Sequence, residues 1–190
     1  MTARLITPPA ALAVTLDQAR ANLRIDGTSM DALITTFLEG ITEALEHELG
    51  RALITQCWRV TLDAFPSTSP AAIRLARAPL VSVQSIQYFD LAGVLQTLDP
   101  ATYIVDTVSA PGRVVPAPGC TWPQAQARVN AVAVNYTCGY GATADSTPKN
   151  VRLYVLAKLV EQFEPTTGME RETVQSAFVD RLLDACRTYS

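Results

Sequence analysis

The sequence is short of the groups that enzymes use most. Its 190 residues contain one histidine, His47. Any Ser-His-Asp or Cys-His arrangement would have to use that side chain, and no G-x-S-x-G frame accompanies it. His47 stands among Glu43, Glu46 and Glu48, the setting of an exposed helix surface. The four cysteines, Cys57, Cys120, Cys138 and Cys186, form no C-x-x-C pair and have no histidine at ligand spacing, which excludes the common zinc frames. They are expected to be buried free thiols of a reducing cytosol. Carboxylate spacings of EF-hand or two-metal type are missing. No apolar run approaches the ~20 residues of a membrane helix, and no signal-peptide pattern is read. Positive charge is not in excess: 15 Lys and Arg face 18 Asp and Glu, a formal net charge of −3. That excludes a general basic affinity for nucleic acid. No catalytic, cofactor or metal site is expected.

What remains is an ordinary globular composition, 48% hydrophobic and 17% charged. The length fits one domain, or a domain with a tail. Thr15 and Gln18 form a capping box ahead of Leu16, Ala19 and Leu23 on one helix face. Ser29 is expected to cap a second helix, striped by Leu33, Ile34, Phe37, Leu38, Ile41, Leu45 and Leu49. Gly50 closes it, where a residue tolerant of positive φ is favoured. Period-2 alternation follows, with Ile54, Trp58, Val60 and Leu62 set against Thr55, Arg59, Thr61 and Asp63. Strands are predicted at 55–63, 73–75, 82–90, 94–98, 102–106, 113–115 and 131–138, with a hairpin turn over Asp90 to Gly93. Thr147-Pro148 opens a third helix, with Thr147 as cap, that runs to about 164, where Pro165 stops it. A last amphipathic helix is predicted from about 172 to 187.

The fold class is therefore α+β. Two early helices and the third one form a small bundle, with a β insertion at about 55–140 and a C-terminal helix. The division expected is 1–164 as the main domain and 165–190 as a loop and helix that act as a docking arm. Trp58, Val60, Leu62, Phe37 and Ile41 are the candidate core.

The helix-to-strand junction GRALITQCW (50–58) resembles that of head-to-tail connector, or adaptor, proteins of tailed phages and phage-derived gene transfer agents. LITPPAALAVTLDQARANLRID (5–26) is similar to that family's opening. APLVSVQSIQYFDLAGVLQTLDPATYIVD (78–106) is similar to its central hairpin, and TWPQAQARVNAVAVNYTCGYG (121–141) to its last strand and Gly-rich exit. The likeness spans about 5–163. It implies a virion protein of the particle neck, assembled in the bacterial cytoplasm. Its subunits would form a cyclic homo-oligomer of about 12 copies, touching the portal protein on one side and a stopper or tail-side protein on the other. DNA would pass through without sequence-specific binding, and no membrane would be involved. The alternatives are a stopper or tail-terminator ring component, or an α+β enzyme or nucleotide-binding domain. Stoppers and terminators are usually β-dominated and lack strong leading helices.

Three sequence features bear on such a role. Between 29 and 50 there are five carboxylates, Asp31, Glu39, Glu43, Glu46 and Glu48, and no Lys or Arg. They read either as a solvated helix face or, for Glu39, Glu43 and Glu46, as an acidic lumen wall that keeps sliding DNA from sticking. Val174, Phe178 and Leu182 lie on one face of the last predicted helix. They either pack on the chain's own core or dock on the ring or the portal. Gly139-Tyr140-Gly141 with Ala144 matches G-x-G-x-x-A, but the next helix begins several residues too late to meet a pyrophosphate. That stretch is a strand-to-helix exit.

Overall fold

The computed structural model describes residues 1–67, 71–163 and 181–186. The chain starts with an edge strand, β1 (Thr2–Thr7), which the sequence reading missed. Two helices follow, α1 (Leu16–Leu23) and α2 (Asp31–Leu49). The capping box at Thr15 is formed: Thr15 Oγ1 accepts from Gln18 N at 3.2 Å, and Gln18 Oε1 accepts from Thr15 N at 3.4 Å. At α2 the expectation fails by one residue. Met30 takes the cap position without a side-chain bond, because the chain turns through a bond from Asp31 N to Thr28 O at 3.1 Å. Gly50, at φ 62°, ends α2 in the left-handed conformation expected of it.

The β region comprises β2 (Gln56–Leu62), β3 (Ile73–Arg74), β4 (Leu80–Phe89), β5 (Leu95–Thr97), β6 (Tyr103–Asp106), β7 (Arg113–Pro116) and β8 (Val132–Cys138). These strands divide into two antiparallel sheets. One has five strands in the order β1-β2-β8-β4-β5, and the other has three in the order β3-β7-β6. The turn between β4 and β5 is held by Asp90, whose Oδ1 accepts from Ala92 N and Val94 N. β8 is the centre of the large sheet, and its even-numbered residues Val132, Val134, Tyr136 and Cys138 are buried.

After β8, α3 (Lys149–Phe163) returns to the helical layer. Thr147 does not cap it through its side chain: the buried Thr147 Oγ1 has no hydrogen-bond partner. Pro148 stands one residue before the helix, where its carbonyl accepts from Arg152 N at 3.0 Å. At the end of β8, Gly139 is required by contact. A Cβ there would lie 2.5 Å from the carbonyl oxygen of Ile54, so only glycine lets the two segments cross.

Two cores result. The helical one gathers Ile34, Leu38 and Leu45 of α2 with Val151, Val155 and Leu159 of α3. The sheet core gathers Val60, Ile86, Val134 and Tyr136 under Ile73 and Val114 of the small sheet. Val60 is fully buried, whereas Trp58 and Leu62 are partly buried at the edge of the sheet core. Phe37 and Ile41 are also partly buried, against the helical core. Phe37 meets Phe163 edge to face, with 6.0 Å between ring centroids.

Among the C-terminal docking candidates, Val174 and Phe178 lie outside the described residues. Leu182 is placed, and it corrects the expectation of a free docking side chain. It packs on the chain's own helical core, and its carbonyl accepts from Asn150 Nδ2 at 2.6 Å. The neighbouring Leu183 and Cys186 are buried in the same core. The physical reason is apolar burial: with Leu183 and Cys186 taken into the α2–α3 core, Leu182 is held beside it. The cysteines also depart from expectation: Cys138 and Cys186 are buried, Cys57 is partly buried and Cys120 is exposed.

Candidate functional site

The helix-to-strand junction is tied by a polar network that the sequence did not reveal. The turn at Gly50 folds β2 back beside the last turns of α2 and brings Gln56 to Glu46. Glu46 Oε1 accepts from Leu53 N at 2.6 Å and from Gln56 Nε2 at 2.9 Å; Oε2 lies 3.1 Å from the same Gln56 nitrogen. Gln56 Oε1 in turn accepts from Trp58 Nε1 at 3.0 Å. Arg77 donates to the Glu46 carbonyl oxygen, and its guanidinium carbon sits 4.9 Å from the centre of the Trp58 ring. Glu46 is only 8% exposed. It is a buried acceptor and not the solvent-facing charge expected of it, because the carboxylate satisfies donors that the reversal of the chain would otherwise strand. Glu39 and Glu43 are exposed, as is His47.

Above this network lies a groove of about 550 Å³. Its walls include Leu5, Pro9, Glu39, Glu43, Trp58 and Arg77. Glu39 and Glu43 stand one turn apart on α2 and give the rim negative charge. Thr42 Oγ1, also on the groove wall, is enclosed and has no hydrogen-bond partner.

The opposite side of the same ribbon is different in kind. The five strands of the large sheet contain no Asp or Glu at all, and their only charged residues are Arg4 and Arg59. These two are direct partners across β1 and β2, and both are exposed. Arg59 Nε donates to Asn135 Oδ1 at 2.7 Å, and Asn135 Nδ2 donates to Ser85 Oγ at 2.9 Å. Gln84 Nε2 donates to Thr137 Oγ1 at 3.0 Å in the next row. The outer face therefore mixes amides and hydroxyls with Phe89, Leu95 and Ala133, and it carries Arg4 and Arg59 with a third guanidinium, Arg128, stacked 3.9 Å from the Phe89 ring centre. No carboxylate among the described residues is within ion-pair distance of Arg4 or Arg59.

The ionisable groups of the described residues serve the fold. Among the described residues no three His, Cys, Asp or Glu side chains gather closely enough to hold a metal ion. Burial pushes the Cys138 thiol up to about 12, with the Glu46 carboxylate adding to the shift, so it is a poor nucleophile. Burial also raises the Tyr136 phenol, whose hydroxyl donates to the Ala76 carbonyl. Asp106, held by Ser109 and Arg113, is lowered and fixes the β6–β7 turn.

The described surface thus pairs an acidic groove, beside a stapled helix-to-strand junction, with a neutral-to-basic sheet face. Residues 13–82 match the family of phage gp6-like head-tail connector proteins. The matched span runs from α1 to the start of β4, so the Glu46–Gln56–Trp58 staple lies inside the connector segment. Solved structures extend the likeness to the whole length. The chain has the fold of a protein in the neck of an empty gene transfer agent particle computed with C6 symmetry. The identity is 22% and the TM-score 0.84, covering 100% of this chain and 97% of that one. A chain of the virion of a native gene transfer agent particle matches with a TM-score of 0.81 at 21% identity, with the same coverage. A chain from the neck of the native particle computed with C12 symmetry matches at 0.77 and 20%, again over 100% of this chain and 97% of that one. No curated protein matches the sequence. The connector family and these neck chains are structural parts of phage-like particles and not enzymes. The connector likeness read at the junction and the α+β class both stand with them.

Proposed function

We propose that the protein is a structural adaptor that closes into a ring of identical subunits between capsid portal and tail and forms part of the DNA channel. The observation that carries this reading is the full-length likeness to a particle-neck chain, together with the connector match over 13–82. Twelve copies are proposed, following the C12 symmetry applied to a similar neck. Glu39 and Glu43 supply exposed negative charge on α2. A portal protein and a stopper or tail-side protein are the proposed neighbours along that axis.

The test is genetic and structural. Removal of the gene should leave DNA-filled heads without tails, restored by the wild-type chain. Image reconstruction of the particle neck should then show density for this fold directly beneath the portal. Tailed particles at the normal count in the deletion strain would sink the adaptor reading.

A further inference from the structure

The Arg4–Arg59 pair has an energetic cost within the monomer. Like charges directly opposite on an antiparallel pair are destabilising, and no carboxylate on any strand of that sheet offsets them. A pair so placed fits an anionic surface brought by something else. The same two strands carry the complementary feature on their other side. Leu5 and Trp58, the register partners next to Arg4 and Arg59, line the acidic groove. Because strand side chains alternate between faces, the ribbon β1–β2 separates a basic face from an acidic groove. Three carboxylates line that groove, Glu39, Glu43 and Glu46, against one guanidinium, Arg77.

We propose that the basic face of one subunit, Arg4 and Arg59, docks against the Glu39–Glu43 rim of the next copy's groove. This would be the repeating contact of the ring, and it rests on the ring reading above. Two different patches on opposite sides of one subunit are what a head-to-tail contact requires; a two-fold contact would use one patch twice. A second copy fits better than DNA. That face offers three cations, Arg4, Arg59 and Arg128, whereas a protein held on phosphates typically uses about 6–10 contacts. Charge pairing of this kind would mainly set register and partner choice.

The experiment exchanges the charges. In variant A, Arg4→Glu and Arg59→Glu make both surfaces acidic. In variant B, Glu39→Lys and Glu43→Lys make both surfaces basic. All four positions are exposed, so the melting temperature of each purified variant should match the wild type. In cells lacking the gene, either variant alone should lower the count of tailed particles at least tenfold, since about 1.4 kcal/mol per contact already gives that factor. Expressed together they should restore it, because A and B can alternate around an even-numbered ring.

Wild-type counts with A or B alone would overturn the face-to-groove contact and leave the adaptor reading intact. Loss with A that coexpression of B does not rescue would overturn it in favour of a nucleic-acid contact at Arg4 and Arg59. Normal counts in the deletion strain itself would instead defeat the adaptor reading.

Discussion

Gln56 on β2 hands its amide to both oxygens of the Glu46 carboxylate on α2, at 2.9 and 3.1 Å, and so locks the first long helix to the first central strand. Glu46 also holds Leu53 N. Glu46→Ala therefore strands two buried donors, each worth about 1–3 kcal/mol when left unsatisfied. The expected outcome is a large drop in melting temperature. Glu39→Ala on the exposed rim of the same helix should change it little. Equal, small effects of the two would show that the staple does not hold the junction.

Trp58 packs on the edge of the sheet core, donates to Gln56 and lies under Arg77. Truncation of a fully buried aromatic costs about 3–5 kcal/mol. Trp58 is partly buried, so Trp58→Ala should cost at or just below the lower end of that range, and Trp58→Phe clearly less. Chemical denaturation of the purified chain measures both. An unchanged midpoint for Trp58→Ala, with failed assembly in particles, would make Trp58 an interface residue.

Leu183 is 1% exposed within the helical core, and Arg51 Nε donates to the Cys186 carbonyl at 2.7 Å. The segment 181–186 thus covers the α2–α3 layer. Leu183→Ala should cost about 2–5 kcal/mol, and a chain ending at Phe163 should melt well below the full-length protein. A truncated chain with the full-length melting temperature would return this segment to the role of a free docking arm.

Thiol chemistry separates Cys120 from Cys138. Cys120 is exposed and should be alkylated within minutes at pH 8 in the native protein. Cys138 should resist until the chain unfolds, because it is buried and its thiol is held near 12. The raised value also has a stability consequence. Above pH 9 the unfolded chain gives up this proton while the folded chain keeps it, so stability is lost as pH rises from 9 towards 12. Tyr136 acts in the same direction. Cys138→Ala should flatten the fall of melting temperature over that range; an unaltered slope would mean that Cys138 does not drive it.

Much of the fold was legible because its signals are local. Val60, Val134 and Ile86 alternate with polar neighbours, and each marks a strand within one or two residues of its observed bounds. Gly50 and the Thr15 box marked helix ends for the same reason. Strand β1 was missed because TARLIT is an edge strand with five of its six residues exposed, so it shows no buried face to alternate with. Glu46 was misplaced because nothing in an acidic helix distinguishes the one carboxylate that meets Leu53 N and Gln56. That distinction arises only when the chain doubles back at Gly50. Arg51, Gln56 and Trp58 were visible as part of the connector-like junction, but their partners Cys186, Glu46 and Arg77 lie on other elements. The division of eight strands into two sheets was equally beyond local patterning.

The position of β8 in the middle of the large sheet has a consequence for synthesis on the ribosome. β2 and β4 are each hydrogen-bonded to β8 and not to one another, yet both leave the exit tunnel well before it. Until Val132–Cys138 emerges, β2 has only the edge strand β1 beside it and β4 only β5, so the sheet exists as two unjoined ribbons whose Val60 and Ile86 lack the central strand. The two helices, whose bonds are local, can form at once, but the joined sheet must wait for a strand made more than 40 residues after β4. Nascent chains stalled before Val132 should be cut readily by protease between 56 and 89, and chains stalled far enough past Cys138 to clear the tunnel should resist. Protection of that stretch before β8 is available would show that β2 and β4 find another, provisional partner.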